Sequence, residues 1–409
     1  MNFQAFPSYE KFSPAVPVCC VTPEHPGAIH RFFDTSPISP NGRYLAACVL
    51  PYGDHLPSPR DRAGILLVDL ETGREEIIDE TAGWGLQVGA NLQWGNDQTL
   101  YYNDLYSNTW EPCLVELNPF TGEKKRMGSG IFMLSPDGRY ALTHNLVKGR
   151  LTQNGYGVMI PDEKIVRNDH HPTDDGFYLT DTKTGESKLF MPLSRLIDGA
   201  LPHPENYRNG EFYGFQCKWS PDQKRIMYVV RWLSHEGKPK RAMVFTSDAQ
   251  GENIRLALHD CEWAKGGHHV NWHPDSIHIT MNLRMNSVDL RFVSFAYDGS
   301  EFHALLDHLP GSGHPSIHRN GRLLLTDAYF AHDKRYTRED GTTALRLVDL
   351  LNEEETLLLW MKTDTGTAST DFRLDPHPAW SCDWRYAVFN GYDGDQRKVY
   401  VCNLSGLIK

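Results

Sequence analysis

The chain has 409 residues, 40% hydrophobic and 23% charged, an ordinary balance for a folded protein. No run approaches 18 apolar residues, which excludes a membrane-spanning helix. Lys and Arg number 41 against 52 Asp and Glu, a net charge of −11 with no basic run. Nucleic acid and membrane are therefore not expected partners, while an anionic ligand in a local basic pocket stays open.

The first residues, MNFQAFPSYEKFSP, carry neither a basic n-region nor an apolar h-region, so a cytoplasmic location is expected. The eight cysteines form no CxxC pair. Several sit in strand-like runs such as AACVL and VYVCNL, which reads as reduced, mostly buried thiols.

From residue 38 onward one signature recurs: an apolar or Trp residue, Ser-Pro-Asp-Gly or a relative, then a β-rich run. The copies are ISPNGRYLAACV (38–49), WGNDQTLYYN (94–103), LSPDGRYALTH (134–144), WSPDQKRIMYVV (219–230), WHPDSIHITMN (272–282), IHRNGRLLLTD (317–327) and WSCDWRYAVFN (380–390). Each predicts two strands around a tight turn. A second hairpin pattern follows each copy, from ILLVDLETGREEII to the final KVYVCNLSGL. Four strands per unit and seven units predict an all-β, seven-bladed β-propeller over residues 1–409. The last copy ends near the C-terminus, so a segment within Ser13–Pro23 is expected to supply the outer strand of blade seven.

One interval is long: 85 residues separate Leu134 from Trp219, against about 40 to 63 elsewhere. The excess, in 148–176 and 191–214, is rich in Gly, Pro, Asn, Asp and His, and reads as functional loops.

Inner strands line a propeller's channel. The residue three before each signature's apolar residue is Thr35, Asn91, Ile131, Gln216, His269, His314 or His377. Gln216, His269, His314 and His377 thus fall at one height in four consecutive blades. With Asp375 they make a candidate site for a transition metal or an anion; a zinc or manganese type of ion suits these ligands better than calcium. Taken singly, each His is an ordinary hydrogen-bonded channel residue. Ends of the second strands add His144, Arg231, Asn282, Arg284, Asp327, Tyr329, Asn390 and Tyr392 to the same mouth, and the long loops add His170, His171, Tyr207 and Tyr213. Arg231 follows the apolar run IMYVV, where a cation is costly unless it meets an anion. Cys217, Cys261, His268 and His273 have zinc-type side chains, but their spacing matches no closed motif, and buried thiols with surface histidines are the preferred reading.

The repeats resemble the broad TolB-type propellers. No GxSxG is present, which argues against Ser-His-Asp hydrolysis. The combination FFDTSPISPNGRYLA, GGHHVNWHPD, GSGHPSIHRNGRLLLTD and DPHPAW more closely resembles the propeller polysaccharide lyases, across essentially the whole chain. These are the oligogalacturonate lyases and the ulvan and rhamnose–glucuronate lyases. The resemblance implies β-elimination at a uronic acid, giving a 4,5-unsaturated product, with an anionic uronate-containing oligosaccharide as partner. In that chemistry an Arg or a metal neutralises the carboxylate, and a Tyr or His removes the C5 proton.

The oligogalacturonate branch implies a metal held by a His/Gln cluster, which Gln216, His269, His314 and His377 resemble. This chain departs from it with Asp375 where a second His is expected. The ulvan branch implies a His, Tyr and Arg set on blades three and four. His144, His170 or His171, Tyr213 or Tyr207, and Arg231 follow that order, so this mechanism is the favoured expectation, with any metal in support. The absence of a secretion signal favours an oligosaccharide over a polymer. A TolB-like binding propeller without turnover is the alternative. A glycosidase would need two opposed carboxylates, and only Asp327 and Asp375 are placed at the mouth.

Overall fold

The recurring turn folds through its own side chains. In the third copy Ser135 donates to Asp137 (2.6 Å), and these two side chains accept from the backbone N–H groups of Tyr140 (2.9 Å) and Arg139 (3.0 Å). Gly138 completes the turn at a φ of 72°, a conformation without steric cost only for glycine. Ser39 with Asn41, Ser220 with Asp222 and Ser381 with Asp383 repeat the arrangement. The Trp of the signature has its own task. The indole N–H of Trp94 reaches the carbonyl of Pro37, that of Trp272 reaches Lys218, and that of Trp380 reaches Ser316. Each ties its blade to the innermost segment of the blade before it.

The computed structural model describes residues 3–285, 289–329, 334–363 and 370–408. Seven four-stranded antiparallel sheets form seven blades around one axis. Blade one comprises Ala28–Ile29, Tyr44–Val49, Ala63–Asp69 and Glu75–Thr81. Blade three comprises Met133–Leu134, Tyr140–His144, Gly176–Asp181 and Ser187–Pro192, and blade four Gly210–Trp219, Arg225–Ser234, Lys240–Asp248 and Arg255–Leu258. Blade seven pairs Ala379–Trp380, Tyr386–Asp393 and Gln396–Asn403 with Val18–Cys20 as its outer strand. The register Val18 to Cys402 and Cys20 to Tyr400 closes the ring with the N-terminal segment expected for it. Apolar side chains alternate into layers between blades, and Tyr9, Phe12 and Val18 pack with Phe389, Tyr400 and Cys402 over that seam.

Two inner strands depart from the short, regular form. Blade four's begins at Gly210, six residues before Gln216, and shifts register between Gly214 and Gln216. In blade one the ladder breaks after Ile29 and resumes only with the bridge from Ile38 to Leu45. The intervening residues cross the channel. All eight cysteines are free; five are buried, while Cys261 and Cys382 are exposed. No helix among the described residues is long and apolar enough to cross a membrane.

Candidate functional site

Residues 30–35 plug the channel. Arg31 donates to Asp34 (2.6 Å), Thr35 (2.5 Å), Asn91 (3.2 Å) and the Phe132 carbonyl (2.5 Å). Lys218 of blade four reaches the other oxygen of Asp34 at 2.8 Å, and both side chains are buried. It also donates to the Val270 carbonyl at 2.9 Å. One carboxylate thus balances two buried cations, and the network joins blades one to five. Burial lowers the Lys218 pKa, while Asp34 counters it. Phe32 and Phe33 lie between Lys218 and the channel histidines: the Lys218 ammonium is 4.7 Å from the Phe33 ring centroid, and the Phe32 and His377 rings are 4.7 Å apart.

Above the plug the histidines converge. His269 stacks on His314 with centroids 3.7 Å apart, and His377 meets His314 edge-on at 4.4 Å. Ligand atoms of His314, Asp375 and His377 lie within 4.8 Å of one another, all three buried. Nδ1 of His314 donates to Asp327, whose oxygens are 2.9 and 3.0 Å away. That fixes the tautomer and leaves Nε2 as the electron-pair donor, as outer-shell carboxylates do for metal-ligating histidines. Neither ring nitrogen of His377 makes a well-aligned hydrogen bond among the described residues, and burial drives its pKa well below the ordinary value, so the ring is neutral. Two imidazoles and a carboxylate fit a first-row transition ion. One contact competes: Arg373 binds both oxygens of Asp375, at 2.8 and 2.9 Å. Gln216 is buried but makes no hydrogen bond to this group among the described residues.

His269 faces the open side. Its Nδ1–H donates to the Gly313 carbonyl at 2.6 Å, and the Tyr329 hydroxyl stands 3.0 Å from Nε2. Burial, then the adjacent His314 and His268, lower its pKa well below 6.5. At neutral pH it is an uncharged imidazole with a lone pair on Nε2, the state of a general base.

The second group of expected residues is only partly assembled. Arg231 follows an apolar run as expected but lies inside its strand, which continues to Ser234, rather than at its end. Its guanidinium lies over the Phe215 ring (3.4 Å to the centroid) and donates to the Thr152 carbonyl (3.2 Å) and Gln153 (2.7 Å). No carboxylate pairs with it among the described residues. Burial lowers its pKa to about 10, so it stays charged. It lines a cleft of about 460 Å³ with Arg150, Gln153, Lys240, Arg241 and Asp371. His144 lies near enough to feel Arg231, but it is buried without a partner for either nitrogen among the described residues, and burial pushes its pKa to about 3.

Tyr213 is the strand partner of Arg231, yet its hydroxyl donates to Glu211 at 2.5 Å and accepts from the Asn168 N–H at 3.3 Å. Burial, then Glu211, raise its pKa. Tyr207 is buried against Phe212 and Trp232, and burial and Asp260 push its pKa to about 12. His171 pairs with Asp198 at 2.9 Å, and His170 is exposed beside it. No contact joins either of these histidines to Arg231 among the described residues. Cys217, Cys261, His268 and His273 also stay apart: Cys217 is buried, Cys261 exposed, and His273 pairs with Asp275.

Three residues at the mouth lie outside the positions that the sequence pattern picks out. Arg373 holds Asp375. His30, buried and pushed to about 3 by burial, has its backbone N–H held by Asn390 at 2.9 Å. Tyr156 stands in the blade-three insertion with its ring 5.2 Å from Phe215. The bracketing glycines of Gly155-Tyr156-Gly157 are the signal that marks it.

No protein-family model and no curated protein matches the chain. Among solved structures, an oligogalacturonate lyase in complex with manganese is 16% identical, with a TM-score of 0.63 over 98% of this chain and 96% of that one. An oligogalacturonate lyase from Vibrio parahaemolyticus is 14% identical, with a TM-score of 0.64 over 100% and 98%. The propeller domain of the Trilobed protease from Pyrococcus furiosus, described as having an open velcro topology, is 12% identical, with a TM-score of 0.51 over 91% and 95%. At these identities the likeness is one of fold. It falls on the oligogalacturonate branch of the resemblance and lends no support to the ulvan and rhamnose–glucuronate branch.

Proposed function

We propose that the chain is a lyase that cleaves uronate-containing oligosaccharides by β-elimination at this mouth. The observation that carries the reading is the convergence of His269, His314, His377 and Asp375 on the axis of a propeller similar in fold to oligogalacturonate lyases. Arg231, charged and without a carboxylate partner among the described residues, binds a uronate carboxylate through its planar guanidinium. Neutralising that carboxylate lowers the pKa of the C5 hydrogen and stabilises the enolate-like charge that develops. His269 takes the C5 proton on Nε2, and the carbonyl of Gly313 holds the ring in the required tautomer.

His314, Asp375 and His377 are the residues that would hold a zinc- or manganese-type ion, with Arg373 released from Asp375. When bound, such an ion supplies a second positive charge for the uronate. One of the similar lyases is a manganese complex.

The test is a screen of pectic, ulvan-like and rhamnoglucuronan oligosaccharides for the far-ultraviolet absorbance of a 4,5-unsaturated uronate. Product from any of them supports the lyase. Saturable binding with no product on all three selects the non-catalytic binding propeller.

A further inference from the structure

The strand that ends at His144 runs into a short helix, Leu146–Thr152, and then into Gly155-Tyr156-Gly157. Both glycines have positive φ, 81° and 80°. A Cβ at Gly157 would lie 2.1 Å from the Leu146 carbonyl oxygen, so the strap keeps this path only with glycine there. The Gly155 carbonyl accepts from the Gln87 N–H at 3.1 Å. The Gln87 side chain donates in turn to the carbonyls of Asp371 (3.1 Å) and Arg373 (3.2 Å). Asn154 adds a bond to the Asp371 carboxylate at 3.0 Å. The strap is thus tied across the mouth to the segment that carries Arg373 and Asp375.

These ties fix Tyr156 where the Arg231 cleft meets the histidine chamber. The Phe215 ring has Arg231 on it at 3.4 Å and the Tyr156 ring at 5.2 Å. Tyr156 is 6% exposed, and its hydroxyl makes no hydrogen bond among the described residues. It is not among the buried side-chain atoms left without a partner, so the ring is packed while the hydroxyl itself reaches open space. Two other tyrosines have theirs: Tyr213 is committed to Glu211 and Tyr329 to the histidines.

We propose that Tyr156 is the general acid of the elimination, giving its hydroxyl proton to the departing O4 oxygen. This rests on the lyase reading. The C5–H bond breaks as His269 takes the proton, and its electrons form the C4–C5 double bond. The C4–O4 bond breaks with its electron pair on O4, and that oxygen takes the proton of Tyr156. The phenolate left behind lies near the Arg231 and Arg373 guanidiniums and recovers a proton from solvent, as His269 releases one. Burial and Asp375, opposed by the two guanidiniums, push the Tyr156 pKa to about 12. The proton therefore stays in place at neutral pH until a stronger base, such as a departing alkoxide, appears.

The experiment compares two leaving groups. One substrate is the oligouronate that the wild-type enzyme cleaves. The other is the matching uronide with fluorine at C4, since fluoride departs without a proton. Tyr156→Phe is expected to lose about 10²-fold or more in kcat on the oligouronate, while fluoride release stays within about threefold of wild type. The retained fluoride release also shows that the variant is folded. Equal losses on both substrates, or no loss on either, overturn the assignment and leave the lyase standing. A wild-type protein that forms no unsaturated product removes the lyase reading itself, and the assignment with it.

Discussion

The Tyr329 hydroxyl lies 3.0 Å from Nε2 of His269 and 3.4 Å from Nε2 of His314. It thereby links the ring on the open side of the chamber to one of the three residues that converge beneath it. In the proposed reaction the hydroxyl marks the place on Nε2 that the C5–H of the substrate takes. His269→Ala is expected to reduce kcat by about 10²–10⁴-fold, the range of a general base, with KM little changed. Product absorbance against time measures it. Activity near wild type would assign proton abstraction to another group.

Arg231→Ala is expected to lower kcat/KM by about 10²–10³-fold, the usual effect of removing one electrostatic stabiliser. Arg231→Lys should recover only part of it, because an ammonium cannot make the two-point contact with a carboxylate. Tyr213→Phe, by contrast, is expected to retain turnover and to cost on the order of 1 kcal/mol in stability through the lost bond to Glu211. Loss of turnover in a stable Tyr213→Phe would return that residue to the reaction.

His144 gives a pH signature of stability. Its folded pKa of about 3 is set by burial, with Asp175 raising it and Arg231 lowering it, against about 6.5 in an unfolded chain. Between these values the unfolded state binds a proton that the folded state does not. This contribution to stability is complete above pH 6.5 and declines as pH falls toward 3, by about 1.4 kcal/mol per pH unit. Urea unfolding of the wild type and His144→Phe at pH 7 and pH 5 measures it. The variant should show a shallower decline, and identical slopes would count against a neutral buried His144.

The cluster of His314, Asp375 and His377 makes a metal prediction that needs no activity assay. Protein stripped with a chelator is expected to take up one Mn²⁺ or Zn²⁺ per chain in a calorimetric titration. His377→Ala should weaken that uptake by about tenfold or more, whereas His171→Ala should not. Equal uptake by both variants would place the ion elsewhere.

Asp34→Ala leaves Arg31 and Lys218 buried without their carboxylate. Removing one partner of a buried pair costs about 3–5 kcal/mol, which equilibrium denaturation would register as a large loss of stability. A loss below about 1 kcal/mol would show that the plug does not depend on this network.

The blade count is legible in the sequence because each turn carries its own folding chemistry: Ser135 and Asp137 fix local backbone N–H groups whatever surrounds them. The three channel histidines are legible because one position per blade repeats around the ring. Tyr213 shows where that logic stops. Its pairing with Arg231 is real, but the register shift between Gly214 and Gln216 changes the phase of the side chains. Phe215 therefore lies under Arg231, while Tyr213 turns to Glu211. A bulge of that kind has no marker in the alternation of apolar and polar residues. The plug is hidden for a different reason. Of residues 30–35 the repeat pattern marks only Thr35, as a channel position, and contacts distant in sequence, Asn91, Phe132 and Lys218, draw the segment across the axis. Tyr156 needs the three-dimensional path of a long loop, of which its two glycines are the only trace.

The seam between Val18–Cys20 and Tyr400–Cys402 has a bearing on how the molecule is made. The earliest of these strands to leave the ribosome must wait for almost the last one. Through most of translation Val18–Cys20 has no strand to pair with, and the ring remains a horseshoe with two unsealed ends. Contacts this remote in sequence form slowly, and exposed strand edges invite association with other chains. A nascent chain stalled before residue 396 should therefore be sensitive to proteolysis at both ends, and should become resistant at both together once Gln396–Asn403 emerges.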